Sequence, residues 1–373
     1  MFRHCTLLAA CAGLLAVAPT ARAADEAPAR PRKPKVEVVF VLDTTGSMGG
    51  LIEGAKKKIW SICNQIASGK PTPDLKVGLV AFRDKGDAYI TKVFDLTDDL
   101  DTVYGHLKGF KAEGGGDIPE SVNQALDDAV NKIRWSDDKE TLRLIFLVGD
   151  APPHMDYSDD VKYPVTCRKA CEKAIIINTV QCGNDAECAK YWKDICKLAE
   201  GSYVRIPQDG GVIQVVSTPH DARLAEINAE LARSTLVYGS RERQADGKAK
   251  NEAAARLAAP EAAPRAAYQA KNQQAAAYDL LDGVKQGKVK LEELKKDELP
   301  EQLQKMNLEE QKKYLAALDA KRAALLKEAV ELDKKRTEYI EQKRKEQSGK
   351  KDSFDEQVLE LLRKQAKDRK IEY

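Results

Sequence analysis

Val36-Glu37-Val38-Val39-Phe40-Val41-Leu42 runs without a break into Asp43-Thr44-Thr45-Gly46-Ser47-Met48. The first stretch is almost wholly β-branched or aromatic, with one charge, which predicts a strand buried on both faces. Strands of that kind belong to parallel sheets covered by helices. Asp43, Thr45 and Ser47 alternate in the second stretch, so an extended loop can aim three oxygens at one point. The loop follows the carboxyl end of a buried strand, where open parallel sheets bind their ligands.

Working outward, Leu51 to Ala67 has apolar residues at helical spacing (Leu51, Ala55, Ile59, Ile62, Ile66). Val77 to Phe82 reads as a second strand, and Tyr89 to Leu96 as a third that pairs with it as a hairpin. A helix over Asp98 to Leu107 precedes the loop Gly114-Gly115-Gly116-Asp117, and Pro119 suits the first turn of a helix running to Ile133. Buried strands at Leu142 to Val148, Ile175 to Val180 and Tyr203 to Ile206 alternate with helices at Val165 to Ala174 and Ala186 to Leu198. Such alternation specifies an α/β fold. The expected sheet is doubly wound, Rossmann-like, six-stranded and mostly parallel, with one antiparallel edge strand, over residues 36–236.

Oxygen donors alone favour a hard cation, and few carboxylates with hydroxyls and waters suit magnesium or manganese. Asp117 in the triple-glycine loop and Asp150 at the end of the Leu142 strand add carboxylates to Asp43, Thr45 and Ser47. The order Asp43-x-Thr45-x-Ser47, glycine-rich loop, strand-ending Asp150 resembles the metal-ion-dependent adhesion site of von Willebrand factor type A domains, over roughly Lys35 to Thr235. The resemblance implies Mg2+ (or Mn2+) with an open coordination position for the carboxylate of a protein ligand. It makes Asp43 and Ser47 direct ligands, puts Thr45 where the family has its usual first serine, and lets Asp150 act through water. The family's second-loop threonine has no counterpart here, and Asp117 stands in for it. The competing reading for each residue is ordinary: an aspartate or serine ahead of a helix caps it. His154 is read as a structural loop residue, and Lys85-Gly86-Asp87 as a charged hairpin turn.

Arg3 and His4, the apolar run Leu7 to Val17, and Ala21-Arg22-Ala23 together form an export signal over 1–23. The run is too short for a transmembrane anchor. Leu8-Ala9-Ala10-Cys11 offers a lipoprotein alternative through Cys11. Residues 24–35 are a proline-rich linker. The expected location is therefore the periplasm or the exterior, where cysteines form disulfides. Cys182 and Cys188, a short loop apart, are the expected pair; Cys167-x-x-x-Cys171 is irregular for zinc. Cys63 and Cys196 suit burial on helices.

Lys+Arg and Asp+Glu nearly cancel, 61 against 59, which gives no basic footprint for nucleic acid. Residues 237–289 are rich in Ala and charge, interrupted by Pro260 and Pro264, and read as a linker or loose helix. Residues 290–373 are charged and helical. Leu318, Leu325, Leu332 and Tyr339 recur every seventh position as a coiled-coil seam, which would support self-association. The companion track Leu315, Arg322, Ala329, Arg336 is poor, and a solvated helical hairpin packing one stripe fits equally. Three function classes follow. One is a metal-dependent adhesion or scaffold module, another a structural coiled-coil protein with an inert cap. The third, a metal-dependent hydrolase, is weakened because the chain has no Gly-Lys-Ser phosphate loop and no arguable Ser/His/Asp triad.

Overall fold

The computed structural model describes residues 33–116, 118–208, 216–346 and 354–373. The expected export signal, Cys11 and most of the proline-rich linker lie outside them, as does Asp117.

Six strands form one sheet: β1 (Lys35–Asp43), β2 (Asp74–Phe82), β3 (Thr91–Thr97), β4 (Leu142–Gly149), β5 (Ile175–Cys182) and β6 (Tyr203–Ile206). Their spatial order is β3-β2-β1-β4-β5-β6. Only β3, at one edge, runs antiparallel, paired with β2; the other pairings are parallel. The sheet is therefore doubly wound and mostly parallel, as its strand sequences predict. Side-chain alternation divides its two faces. Val36, Val38, Phe40 and Leu42 of β1 pack with Leu142, Leu144, Phe146 and Val148 of β4 on one face. Val39 and Val41 pack with Ile145 and Leu147 on the other. Glu37, the one charge in β1, is buried and accepts a hydrogen bond from the Ser136 N–H at 3.0 Å.

On the first face lie α1 (Gly49–Ile66) and α2 (Leu100–Lys108); on the second lie α3 (Val122–Asn131), α4 (Tyr163–Glu172) and α5 (Ala186–Leu198). Pro119 does not enter α3, which begins three residues later with Ser121 at its cap. The remaining helices are α6 (Asp221–Ser234), α7 (Arg241–Ala255), α8 (Ala259–Asn272), α9 (Leu280–Lys285), α10 (Leu308–Glu346) and α11 (Phe354–Ala366).

Two expectations for the second half are corrected. Residues 237–289, expected as a linker or loose helix, are helical and packed rather than loose: α8 is buried from Ala262 to Ala270, and its Ala263, Ala266 and Ala270 pack on Leu224, Ile227 and Leu231 of α6. Alanine removes little contrast from a sequence pattern, yet its small side chain lets helices approach closely. Charges that read as solvent markers are paired instead. Arg265, 1% exposed, donates to both Asp101 oxygens at 2.8 and 2.7 Å and to Asn228 Oδ1 at 2.8 Å. The coiled-coil seam is likewise spent inside the chain. Leu325 and Leu332 pack in the α6–α8 cluster, and Leu318 joins Leu280, Leu281 and Leu315. Arg322 and Arg336, on the poor track, are buried against Asp279 (2.8 and 2.9 Å) and Asp221 (2.8 Å).

Helix α11 closes the sheet. Val358, Leu359, Leu362 and Ala366, with Ile371 beyond, share one core with Phe146, Val148, Val180 and Ile206. Asn178 of β5 and Gln365 exchange side-chain amide hydrogen bonds at 3.0 and 2.8 Å. The chain end is pinned to the turn after α1 by Lys70 N–H to Glu372 O (2.8 Å) and the reverse bond at 3.1 Å.

The expected disulfide is also corrected. Cys182 points into the core beneath α1 and α11, whereas Cys188 points into the core beneath α3–α5. The sheet separates the two sulfurs, so proximity in sequence does not bring them together. No helix among the described residues is long and apolar enough to cross a membrane.

Candidate metal centre

The loop after β1 is held from both sides by the neighbouring strand and the glycine loop. Thr44 donates its N–H and its hydroxyl to Phe82 O, both at 2.9 Å, and its Oγ1 lies 2.7 Å from Tyr89 OH. Gly46 N–H donates to Gly114 O (3.1 Å), and Glu113 N–H donates to Thr44 O (3.1 Å). Arg83, buried, donates to Thr44 O (3.2 Å) and Lys111 O (2.8 Å) and stacks its guanidinium 4.6 Å from the Tyr89 ring centroid. The backbone of the loop after β1 is thus fixed by the fold itself.

Within that frame Asp43, Thr45 and Ser47 lie together, brought there by the 3-10 turn Gly46–Met48 rather than by the extended loop that their alternation suggests. Asp43 Oδ1 accepts from Thr45 N–H (2.8 Å) and Thr45 Oγ1–H (2.7 Å), and Thr45 Oγ1 lies 3.3 Å from Ser47 Oγ. Neither hydroxyl serves as a helix cap: Thr45 makes no side-chain cap bond to the 3-10 turn Gly46–Met48 that leads into α1. Asp43 Oδ2 is buried and has no hydrogen-bond partner among the described residues. A buried carboxylate oxygen left so is costly. Burial pushes the Asp43 carboxyl up to about 7, against the lowering hydrogen bonds from Thr45; Asp150 acts both ways, its carboxylate raising the value and its backbone N–H lowering it. Gly149, the last residue of β4, explains itself here: a Cβ there would lie 3.1 Å from Asp43 Oδ2 and 3.0 Å from its Cβ. Asp150 follows, half-buried, and accepts from Gln208 through Oδ2.

Asp117 lies outside the described residues, so its place at the site is not described. The glycines before it are. Gly114 and Gly115 both have φ +81, and a Cβ on Gly114 would strike Asp87 Oδ1 at 2.3 Å. Gly115 N–H donates to Asp87 Oδ2 at 3.1 Å. Asp87, the end of the Lys-Gly-Asp turn, is therefore occupied in holding the glycine loop. His154 is buried as expected of a structural residue. Its Nδ1 is 2.8 Å from Asp156 Oδ1, and its ring stacks on Tyr157 at 3.9 Å.

One acidic residue was not read from the sequence as part of the site. Glu120, 4% exposed, leaves Oε2 without a hydrogen-bond partner among the described residues. A Cβ on Gly115 would lie 3.3 Å from Glu120 Oε1 and 3.4 Å from Thr45 Cβ, so carboxylate and hydroxyl residue flank one glycine. Burial first, then the carboxyls of Asp43, Asp84, Asp87 and Asp150, push the Glu120 carboxyl up to about 9. The only sequence signal was its position after Pro119 ahead of a helix, which reads as a first-turn acid.

Among the described residues no three His, Cys, Asp or Glu side chains form a ready-made cage. The donors are of a mixed kind, two hydroxyls with carboxylates, and two orphaned buried oxygens face this region. That combination fits a hard divalent cation completed by water or by a ligand's oxygen.

The family model described as von Willebrand factor A domain matches residues 37–211. The von Willebrand factor A domain-containing protein 7 of Rattus norvegicus is 33% identical over 144 residues, 39% of this chain and 15% of that protein. Its Mus musculus counterpart is 40% identical over 120 residues, 32% of this chain and 12% of that one. The chain thus spans a small part of the length of these relatives. Among solved structures, the SpRpn10 VWA domain is 14% identical with a TM-score of 0.37, covering 48% of this chain and 92% of that chain. Proximal thread matrix protein 1 of the mussel byssus, solved with a zinc-occupied MIDAS motif, is 14% identical with a TM-score of 0.38, covering 48% and 43%.

Proposed function

Residues 37–211 are a von Willebrand factor A domain, and from that premise we propose that the chain is a divalent-metal-dependent binding module, an adhesion or scaffold protein of the cell envelope or exterior. Asp43, Thr45 and Ser47 hold Mg2+ or Mn2+, Asp150 supports it through water, and Asp117 belongs to the same set. The cation, when bound, supplies a Lewis-acidic position for one oxygen of a partner protein, a surface carboxylate. The observation that carries the reading is the orphaned, buried Asp43 Oδ2 beside two hydroxyls at the carboxyl ends of the central strands.

Binding rather than turnover is the favoured class. Ser121, the serine that bonds Asp84 near His154, is fully buried, so it presents no nucleophile to a substrate. The structural coiled-coil alternative is weakened because Leu325 and Leu332 of its seam pack inside the chain. Export follows from residues 1–23.

Calorimetry with Mg2+ and with Mn2+ on the full mature chain tests the proposal. Wild type should bind one equivalent, Asp43→Ala none, and capture of partners should be lost in chelator and restored by Mn2+. A wild-type chain that binds neither cation at millimolar concentration ends the metal-site reading.

A further inference from the structure

Glu120 has the features of a working residue, and among the described residues its side-chain Oε2 has no hydrogen-bond partner. Its backbone is fixed on both sides, N–H to Pro152 O at 2.9 Å and C=O accepting from His154 N–H at 3.1 Å. The fixed backbone aims a side chain that is 4% exposed at the Gly115–Thr45 contact. Nothing among the described residues satisfies its Oε2. The neighbouring buried acid behaves differently. Asp84 accepts from Ser121 Oγ at 2.8 Å and from Tyr157 OH at 2.7 Å, so both its oxygens are used within the fold. A buried carboxyl with an unpartnered oxygen must keep its proton or find a cation that supplies the missing interaction.

We propose that the Glu120 carboxylate is a counter-charge of the metal centre, directly or through one water, and that it makes the cation resident, bound whether or not a partner is present. The proposal rests on the metal-site reading above. A centre of two hydroxyls and Asp43 leaves a divalent ion with charge that solvent or a partner must balance. With Glu120 added, two carboxylates of the described residues neutralise the ion inside the protein, before Asp117 and Asp150 are counted. The partner then completes the coordination without having to retain the ion, and the apo state is the exceptional one.

Glu120→Gln tests this, because glutamine keeps the length and both backbone bonds while removing the charge. Wild type loaded with Mn2+ and desalted into metal-free buffer should retain close to one equivalent by elemental analysis. Glu120→Gln should lose most of it, with Mn2+ affinity by calorimetry weaker by about tenfold or more. Asp84→Asn controls for general loss of negative charge, and its affinity should fall less than that of Glu120→Gln. Near-ultraviolet circular dichroism checks that each variant is folded. Equal Mn2+ retention by wild type and Glu120→Gln overturns the proposal while leaving the metal-site reading intact. Equal weakening by Asp84→Asn and Glu120→Gln also overturns it, since the effect is then bulk electrostatics. No Mn2+ binding by wild type removes both together.

Discussion

Asp43→Asn separates a metal anchor from a structural cap, because the two predict opposite effects on the metal-free fold. Without metal, burial holds the Asp43 proton up to about 7, against 3.8 for an ordinary aspartate. The folded chain thus keeps this proton to a higher pH than the unfolded chain does. Metal-free stability is therefore full below the unfolded pKa and falls as pH rises from about 4 through about 7. A pKa gap of about 3, at about 1.36 kcal/mol for each, puts the complete penalty near 4 kcal/mol. Asparagine keeps an acceptor for Thr45 N–H and Oγ1–H and removes the charge. Its new amide N–H lacks a described acceptor, which costs about 1–3 kcal/mol of the relief. Urea unfolding in chelator at pH 7.5 should thus find Asp43→Asn more stable than wild type by about 1–3 kcal/mol. Added Mn2+ should reverse the order, since wild type gains about 2.7 kcal/mol at a hundredfold excess over Kd and the variant gains nothing. A variant less stable than wild type in chelator, or one that still responds to Mn2+, would refute the reasoning.

Ending the chain at residue 353 removes α11 and uncovers the sheet face under Val358, Leu359, Leu362 and Ile371. At about 1.5–3 kcal/mol per buried side chain, the loss matches the whole stability of a domain; the truncated protein should be insoluble or bind a hydrophobic dye, and a cooperative unfolding transition would contradict this. Asp101→Ala should cost about 3–5 kcal/mol by stranding the buried Arg265 charge, whereas adding Arg265→Met to it should recover part of that loss in denaturant unfolding. Native alkylation should modify Cys171 first, since the other cysteines of the described residues are buried, and peptide mapping should find no link between Cys182 and Cys188.

The sheet was legible because its signal is physical and local. Strands buried on both faces need continuous apolar runs, and β1 and β4 have them; the half-exposed β3 mixes polar and apolar residues and goes to the edge. The second half was less legible, since its core is built from alanine and paired charge. Arg265, Arg322 and Arg336 read as solvent-facing until Asp101, Asp279 and Asp221, each far away in sequence, arrive to neutralise them. Pattern along one segment cannot see a partner on another. The same blindness misplaced the Cys182–Cys188 pair, where six residues of chain cross from one side of the sheet to the other.

At the metal centre the division falls within a single constellation. That Asp43, Thr45 and Ser47 lie together was readable because one short loop carries all three. Glu120 reaches the same place by another route. The positive φ angles of Gly114 and Gly115 fold their loop back onto Thr45, and Pro152 and His154 clamp the Glu120 backbone beside it. Neither step leaves a periodicity. What betrays the residue is a cost that appears only in three dimensions, a buried oxygen with no donor among the described residues. Asp84 shows that burial of an acid here does not force that outcome, for the same fold gives it a hydroxyl on each oxygen. The difference between the two acids is the reason to assign Glu120 to the cation and Asp84 to the frame.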